Sequence, residues 1–391
     1  MYTTSIKLVC NNLLYDILSD KISPMKCYSK DGYCFPKKVC STYIKGASNV
    51  GWLMSNKYAY ALYECYMQVY DIQSEKPCNR IVFTQGVVGV EGMLPFTNDH
   101  TECYFLACLS SDKDSAINLY SYHQFAQEHI SLSELYSYAI NKNLQLFKLF
   151  RNGNYDTIAT ADKDHNIYAI RLLYGTKREA MHLYSLYQCA QAKITSLQWI
   201  VSNGDILIAS SGYDGMLRIW SQESPFCPIY EYDNSKRWIY NSCWNQEDQV
   251  IMLCTENKIK SFISIMFKKG KIASKRYAIF HDVVLSTASN HGFHSIILGT
   301  IDGCVFALNK KYMKKMVWDK ESKRKDRFTK LMEMKLVDGI STLYFEEKGV
   351  PWQFEDGMMT SIISMEMDMH WNCIIYYKSG VVIFARFIEG S

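Results

Sequence analysis

Residues 206–220 read ILIASSGYDGMLRIW, and this stretch decides the architecture. An apolar, β-prone run is followed by Asp214-Gly215 and then by an alternating strand that ends in Trp220. Asp-Gly between two such runs marks a tight hairpin, because glycine tolerates the positive φ that the turn demands. Outward from this window the same form recurs. It appears at 58–72 (YAYALYECYMQVYDI), 104–120 (YFLACLSSDKDSAINLY), 156–170 (DTIATADKDHNIYAI) and 250–265 (VIMLCTENKIKSFISI). Two further copies are 295–308 (SIILGTIDGCVFAL) and 373–387 (CIIYYKSGVVIFARF).

Aligned on the apolar residue two after the turn, the seven copies give Met67, Ile117, Ile167, Leu217, Ile259, Val305 and Val382. The spacings are 50, 50, 50, 42, 46 and 77 residues, most of them near the length of one four-stranded propeller blade. A further strand precedes most copies, at 144–150, 194–201, 239–245, 282–287 and 359–367. Strand, loop, strand, tight turn and strand in that order are the inner part of a blade. The expectation is an all-β, seven-bladed propeller spanning 1–391 as one domain. Only IEGS follows Phe387, so the last blade lacks an outer strand, and residues 4–10 (TSIKLVC) are expected to supply it and close the ring. Segments 11–40 and 310–357 are read as insertions.

Composition narrows the class. Of 391 residues 48% are hydrophobic and 21% charged, which is enough to build a core and excludes wholesale disorder. No apolar run reaches the roughly 18 residues of a membrane span, and the first residues lack a leader pattern, so a protein inside the cell without membrane insertion is expected. Tyr is abundant at 29 and Pro scarce at 7, which favours strands. The 14 cysteines are scattered. Cys108, Cys254, Cys304 and Cys373 fall inside strand-like runs, where free cysteine behaves as a small hydrophobe. Cys27, Cys34 and Cys40 cluster loosely, but there is no CxxC pair and no HxxxH, so no metal is expected.

The net charge of +4 is unevenly placed. Residues 310–330 hold ten Lys or Arg and three Asp or Glu, a local +7, leaving −3 for everything else. Such a run is a solvated loop or a phosphate-contacting arm. Candidate contacts to nucleic acid or an acidic partner are Lys314, Lys315, Lys320, Lys323, Arg324, Lys325 and Arg327. Trp352 and Phe354, in the neighbouring VPWQFEDG loop, are candidate partner contacts. Catalytic signatures are missing: the sequence has no HExxH, no GxSxG elbow and no glycine-rich phosphate loop, and His291 and His294 read as loop residues. No cofactor and no enzymatic activity are expected.

The window GYDGMLRIW at 212–220 resembles a WD repeat, with Ser221 in place of the usual Asp and no Gly-His dipeptide anywhere. More narrowly, residues 194–388 resemble the WD-repeat subunits in the box-B-binding half of transcription factor IIIC. Trp220 is followed by Pro225, Phe226 and Pro228, a basic stretch precedes the last repeat, and that repeat carries Ile374, Ile375, Ser379, Gly380, Val381 and Val382. The resemblance implies a nuclear scaffold in RNA polymerase III transcription at tRNA genes, partnered with other subunits and with DNA. Alternative readings are a nucleoporin or coat-type scaffold propeller, or an accessory subunit of an RNA- or protein-modifying enzyme.

Overall fold

The computed structural model describes residues 34–389 except for connections between strands, the longer of which are 72–75, 94–101, 124–131, 174–178, 257–261, 279–282, 289–294, 310–327, 346–351, 355–360 and 368–371. Strand β1 is Cys34–Tyr43. The first sheet then follows as β2 (Asn49–Met54), β3 (Tyr58–Leu62), β4 (Tyr66–Asp71) and β5 (Lys76–Val82). The second is β6 (Gly86–Met93), β7 (Glu102–Ser110), β8 (Ser115–His123) and β9 (Leu132–Ile140). The third is β10 (Leu144–Asn152), β11 (Tyr155–Asp162), β12 (Ile167–Leu173) and β13 (Glu179–Leu186). The fourth is β14 (Ile194–Ser202), β15 (Asp205–Gly212), β16 (Met216–Ser221) and β17 (Tyr230–Asp233). The fifth is β18 (Ile239–Asn245), β19 (Val250–Thr255), β20 (Phe262–Lys268) and β21 (Lys271–Ala278).

The sixth sheet has six strands: β22 (Val284–Ala288), β23 (Ser295–Thr300), β24 (Cys304–Asn309), β25 (Phe328–Val337), β26 (Ile340–Phe345) and β27 (Trp352–Phe354). The seventh is β28 (Ile362–Met367), β29 (Asn372–Tyr377) and β30 (Val381–Glu389), with β1 paired outside β30. All seven hairpins read from the sequence are present as β3–β4, β7–β8, β11–β12, β15–β16, β19–β20, β23–β24 and β29–β30. Six of the seven alignment positions, Met67, Ile117, Ile167, Leu217, Val305 and Val382, are fully buried. Ile259 lies outside the described residues. No helix occurs among the described residues, and none there is long and apolar enough to cross a membrane.

By contact density the chain divides into two compact units. In the unit built on Ala47–Gln249, the first strands of successive sheets touch, β2 on β6, β6 on β10, β10 on β14 and β14 on β18. The middle strands are therefore buried on both faces. On β7, Phe105 and Ala107 pack toward the first sheet with Leu62 and Phe83, while Leu106 and Cys108 pack toward the third sheet with Ile158 and Ile170. On β11, Ile158 faces the second sheet while Ala159 and Ala161 pack with Trp199 and Trp220 of the fourth. The period-2 geometry of a strand sends successive side chains to opposite faces, so a strand between two sheets reads as an unbroken apolar run. Directional bonds fix the sheet-to-sheet register. The Tyr60 hydroxyl donates to Val90 O (2.9 Å), the Leu144 amide to Ser115 Oγ (3.0 Å) and Trp199 Nε1 to Lys148 O (3.1 Å).

In the other unit, β22 packs on β19 and on β28, and the Met365 amide donates to Ser286 Oγ (2.9 Å) across the sixth and seventh sheets. The outer place on the seventh sheet, which the sequence reading gave to residues 4–10, is taken by Cys34–Tyr43, paired antiparallel from Cys34↔Glu389 to Tyr43↔Val381. Residues 1–33 lie outside the described residues. Residues 34–40 are thus strand although they end the 11–40 segment, whose Pro24, Pro36 and three cysteines show no clean period in the sequence. Pro36 sits at a register shift on an edge strand, the place where a residue without an N–H is tolerated in a sheet. The 310–357 segment likewise contains sheet: β25 is the fourth strand, and β26 and β27 extend it by two.

Candidate interaction site

Three connections meet at one end of the fourth sheet, and two glycines of GYDG let them do so. A Cβ on Gly212 would stand 2.6 Å from Lys193 O, and the free space allows the Tyr213 amide to donate to that carbonyl (3.0 Å). Gly215 has φ +76, and a Cβ there would lie 2.8 Å from Arg237 N. The β13–β14 connection, the β15–β16 turn and the β17–β18 connection are thus in backbone contact. Between them Asp214 is buried. Its carboxylate accepts Arg218 Nη1 (2.6 Å) and the Met216 amide (3.1 Å), while Arg218 Nε also reaches Glu231 (3.1 Å). Trp220 Nε1 donates to Ser210 Oγ (3.0 Å).

The third sheet solves the same problem without a cation. Buried Asp162 accepts the Asn166 amide (2.8 Å), Asn166 Nδ2 (3.0 Å) and the Tyr168 hydroxyl (2.6 Å). In both sheets a turn carboxylate is satisfied chiefly by its own hairpin, with the Gln191 amide of the β13–β14 connection also reaching Asp214 (3.4 Å).

The β17–β18 connection is strained and firmly held. Ser235 (φ 57) and Lys236 (φ 58) are consecutive non-glycine residues in the left-handed region. With the Arg237 amide donating to Asn234 O (3.2 Å), they form a type I′ turn, which ordinarily calls for Asn-Gly. Asn234, only 3% exposed, secures it. Its amide donates to Gly215 O (2.9 Å) and its Nδ2 to Arg237 O (3.1 Å), while the Lys236 amide donates to Asp233 Oδ1 (3.0 Å). The turn carries Trp238, 46% exposed, against the Tyr213 ring with centroids 4.8 Å apart and planes at 32°. Lys193, whose carbonyl accepts the Tyr213 amide, and Lys236 and Arg237, which precede Trp238, are exposed, and among the described residues none of the three side chains forms an ion pair with a carboxylate. At the other end of the same sheet, the PFCP segment presents Phe226, 82% exposed, on a loop held by Ser224 N to Ser221 O and Ile229 N to Ile219 O.

The residues singled out from the sequence lie elsewhere. Lys314, Lys315, Lys320, Lys323, Arg324, Lys325 and Arg327 fall outside the described residues, as do His291 and His294. Trp352 and Phe354 are on β27, the outermost strand of the sixth sheet, paired with Leu343 and Ser341, so VPWQFEDG is partly strand where a loop was expected. Cys34 and Cys40 are on β1, and Cys27 is not described. No group of three metal-ligating side chains converges among the described residues. The Tyr213–Trp238 surface was missed. Its signal is DNSKRW at 233–238, turn-forming residues followed by two bases and a tryptophan.

No protein-family model matches the chain, and no curated protein sequence matches it. Solved structures do. Chaetomium thermophilum Raptor aligns over 90% of this chain at 9% identity with a TM-score of 0.58, and the chain spans 28% of the Raptor chain. A chain of a mitotic checkpoint complex aligns over 92% of this chain and 94% of its own at 12% identity and TM-score 0.57. The Cps50 (Swd1) β-propeller domain of Myceliophteria thermophila aligns over 89% and 99% at 8% identity and TM-score 0.55. The fold is a seven-bladed β-propeller. At these identities the likeness extends to the fold alone, one consistent with WD repeats.

Proposed function

We propose that this protein is a non-catalytic interaction subunit of a multi-protein assembly. The observation that carries this reading is Trp238, a half-exposed tryptophan packed at a tilt against Tyr213 and held out on a turn whose backbone is strained. Strain of that kind costs on the order of 1 kcal/mol per residue and is kept where surrounding structure over-determines it, often at working surfaces. Exposed Trp and Tyr flanked by Arg are also the commonest anchors of protein interfaces. A β-propeller suits such a role because turns on several sheets are available to different partners. The neighbour from a mitotic checkpoint complex, itself a component of an assembly, fits the same picture.

The finer reading places the chain in the nucleus as a WD-repeat subunit of transcription factor IIIC, with residues 310–330 touching DNA phosphates. It rests on the sequence resemblance over 194–388 and on the local charge of +7. Affinity purification of the tagged chain with mass spectrometry tests both levels. Stoichiometric recovery of other proteins is expected, and recovery of factor IIIC subunits is the result the finer reading requires. A chain recovered alone contradicts the interaction role. For the basic segment, alanine at Lys314, Lys315, Lys323, Arg324, Lys325 and Arg327 is expected to weaken DNA binding and flatten its salt dependence. An unchanged salt slope removes DNA from the account.

A further inference from the structure

We infer that the Tyr213–Trp238 surface binds an acidic protein segment that carries an apolar or aromatic side chain, an assignment that rests on the interaction-subunit reading and gives it a partner chemistry. One face of the Trp238 ring is taken up by Tyr213, and its exposed remainder is a flat apolar platform. Three exposed cations lie on the connections that meet here, Lys193 on one and Lys236 and Arg237 on the other, and the backbones of both approach the β15–β16 turn at Gly212 and Gly215. The nearby carboxylates offset them only in part. Asp214 and Glu231 share Arg218, and Asp233 keeps its charge while accepting the Lys236 amide through Oδ1, so four cations face three carboxylates. An anion arriving here therefore meets positive charge beside an apolar ring.

Nucleic acid fits less well. Three cations neutralise few phosphates, whereas duplex binding draws on about six to ten phosphate contacts, and stacked bases need an aromatic face that Tyr213 partly covers. A carboxylate-bearing peptide needs only two or three charge-assisted bonds plus one anchor side chain. The type I′ turn supplies preorganisation: Asn234 bonds to Gly215 O of the β15–β16 turn and to Arg237 O of its own connection, so the backbone carrying Trp238 and the two adjacent bases is placed before a partner arrives.

The probe is a fluorescein-labelled synthetic peptide of Asp and Glu around one central Phe, titrated against the whole chain by anisotropy. Two control peptides replace the Phe by Ser or the acids by Asn and Gln. The acidic Phe peptide is expected to bind, each control to bind at least about tenfold more weakly, and binding to fall by about tenfold or more in Trp238→Ala and in Lys193→Glu/Lys236→Glu/Arg237→Glu. Trp238→Phe should recover part of the loss, and unchanged melting temperatures show that the variants fold. No binding to wild type, equal binding to the variants, or displacement of the peptide by a short DNA duplex in preference to unlabelled peptide would overturn the assignment. Co-purification separates the two readings. If partners are still recovered with the triple variant, the interaction role stands and this surface is not its seat. If wild type recovers none, the role itself fails.

Discussion

Ser235 and Lys236 occupy backbone positions that suit Asn and Gly better, and the cost is local and measurable. Replacing them together, Ser235→Asn with Lys236→Gly, converts the turn to the favoured type I′ sequence and is expected to stabilise the protein by about 1 kcal/mol, read as a higher urea midpoint. The same variant should bind the acidic peptide more weakly because it removes a cation. A stability gain without a binding loss would remove the Lys236 charge from the binding surface. Cysteine chemistry makes a second residue-scale prediction. Burial pushes the Cys108 thiol up from its ordinary 9.0 to about 12, so at pH 9 it stays protonated as well as shielded. Iodoacetamide at that pH followed by peptide mass spectrometry should label exposed Cys65 and Cys227 and leave Cys108, Cys254, Cys304 and Cys373 unmodified in the folded protein.

Within elements, the hairpins were legible in the sequence because each combines an apolar strand, a turn residue and a second apolar strand, and because the middle strands are buried on both faces. β7 shows the energetic weight of that arrangement. Phe105→Ala removes a fully buried ring and is expected to cost about 3–5 kcal/mol, whereas Val82→Ala, at 67% exposure, should stay within about 0.5 kcal/mol. Equal urea midpoints for the two would contradict the packing described. Arg218 gives a sharper comparison. Its pair with Asp214 is nearly buried, with side-chain exposures of 12% and 5%, while Glu231 is 50% exposed. Arg218→Ala strands a buried carboxylate and is expected to cost about 3 kcal/mol, against less than about 1 kcal/mol for Glu231→Ala. What the sequence concealed follows the same physics. β1 is masked by Pro36, acceptable only at an edge, and β26 and β27 extend a sheet without belonging to the repeat. The 233–238 turn uses Ser-Lys where a type I′ turn would be signalled by Asn-Gly, so the Asp-Asn-Ser run marks a turn but not a tight one.

For the molecule as a whole, the sevenfold repeat carries the architecture, while the residues of the proposed interaction surface carry no repeat signal of their own. Tyr213, Trp238, Lys193, Lys236 and Arg237 come from three connections that are far apart in register, and only the close approaches permitted by Gly212 and Gly215 make them one surface. With Tyr at 29 positions, aromatic content by itself selects nothing. The basic run at 310–330 is the opposite case, conspicuous in sequence but with 310–327 outside the described residues and only 328–330 seen, at the start of β25, so its role is a matter for the DNA titration. The central claim is that this propeller works by holding other proteins. Its most direct test is the native mass of the endogenous protein in a gentle extract, measured by size-exclusion chromatography with immunodetection. The account predicts elution well above the mass of one chain, in a peak that shifts downward when salt is raised. Elution as a single chain at all salt concentrations would contradict it.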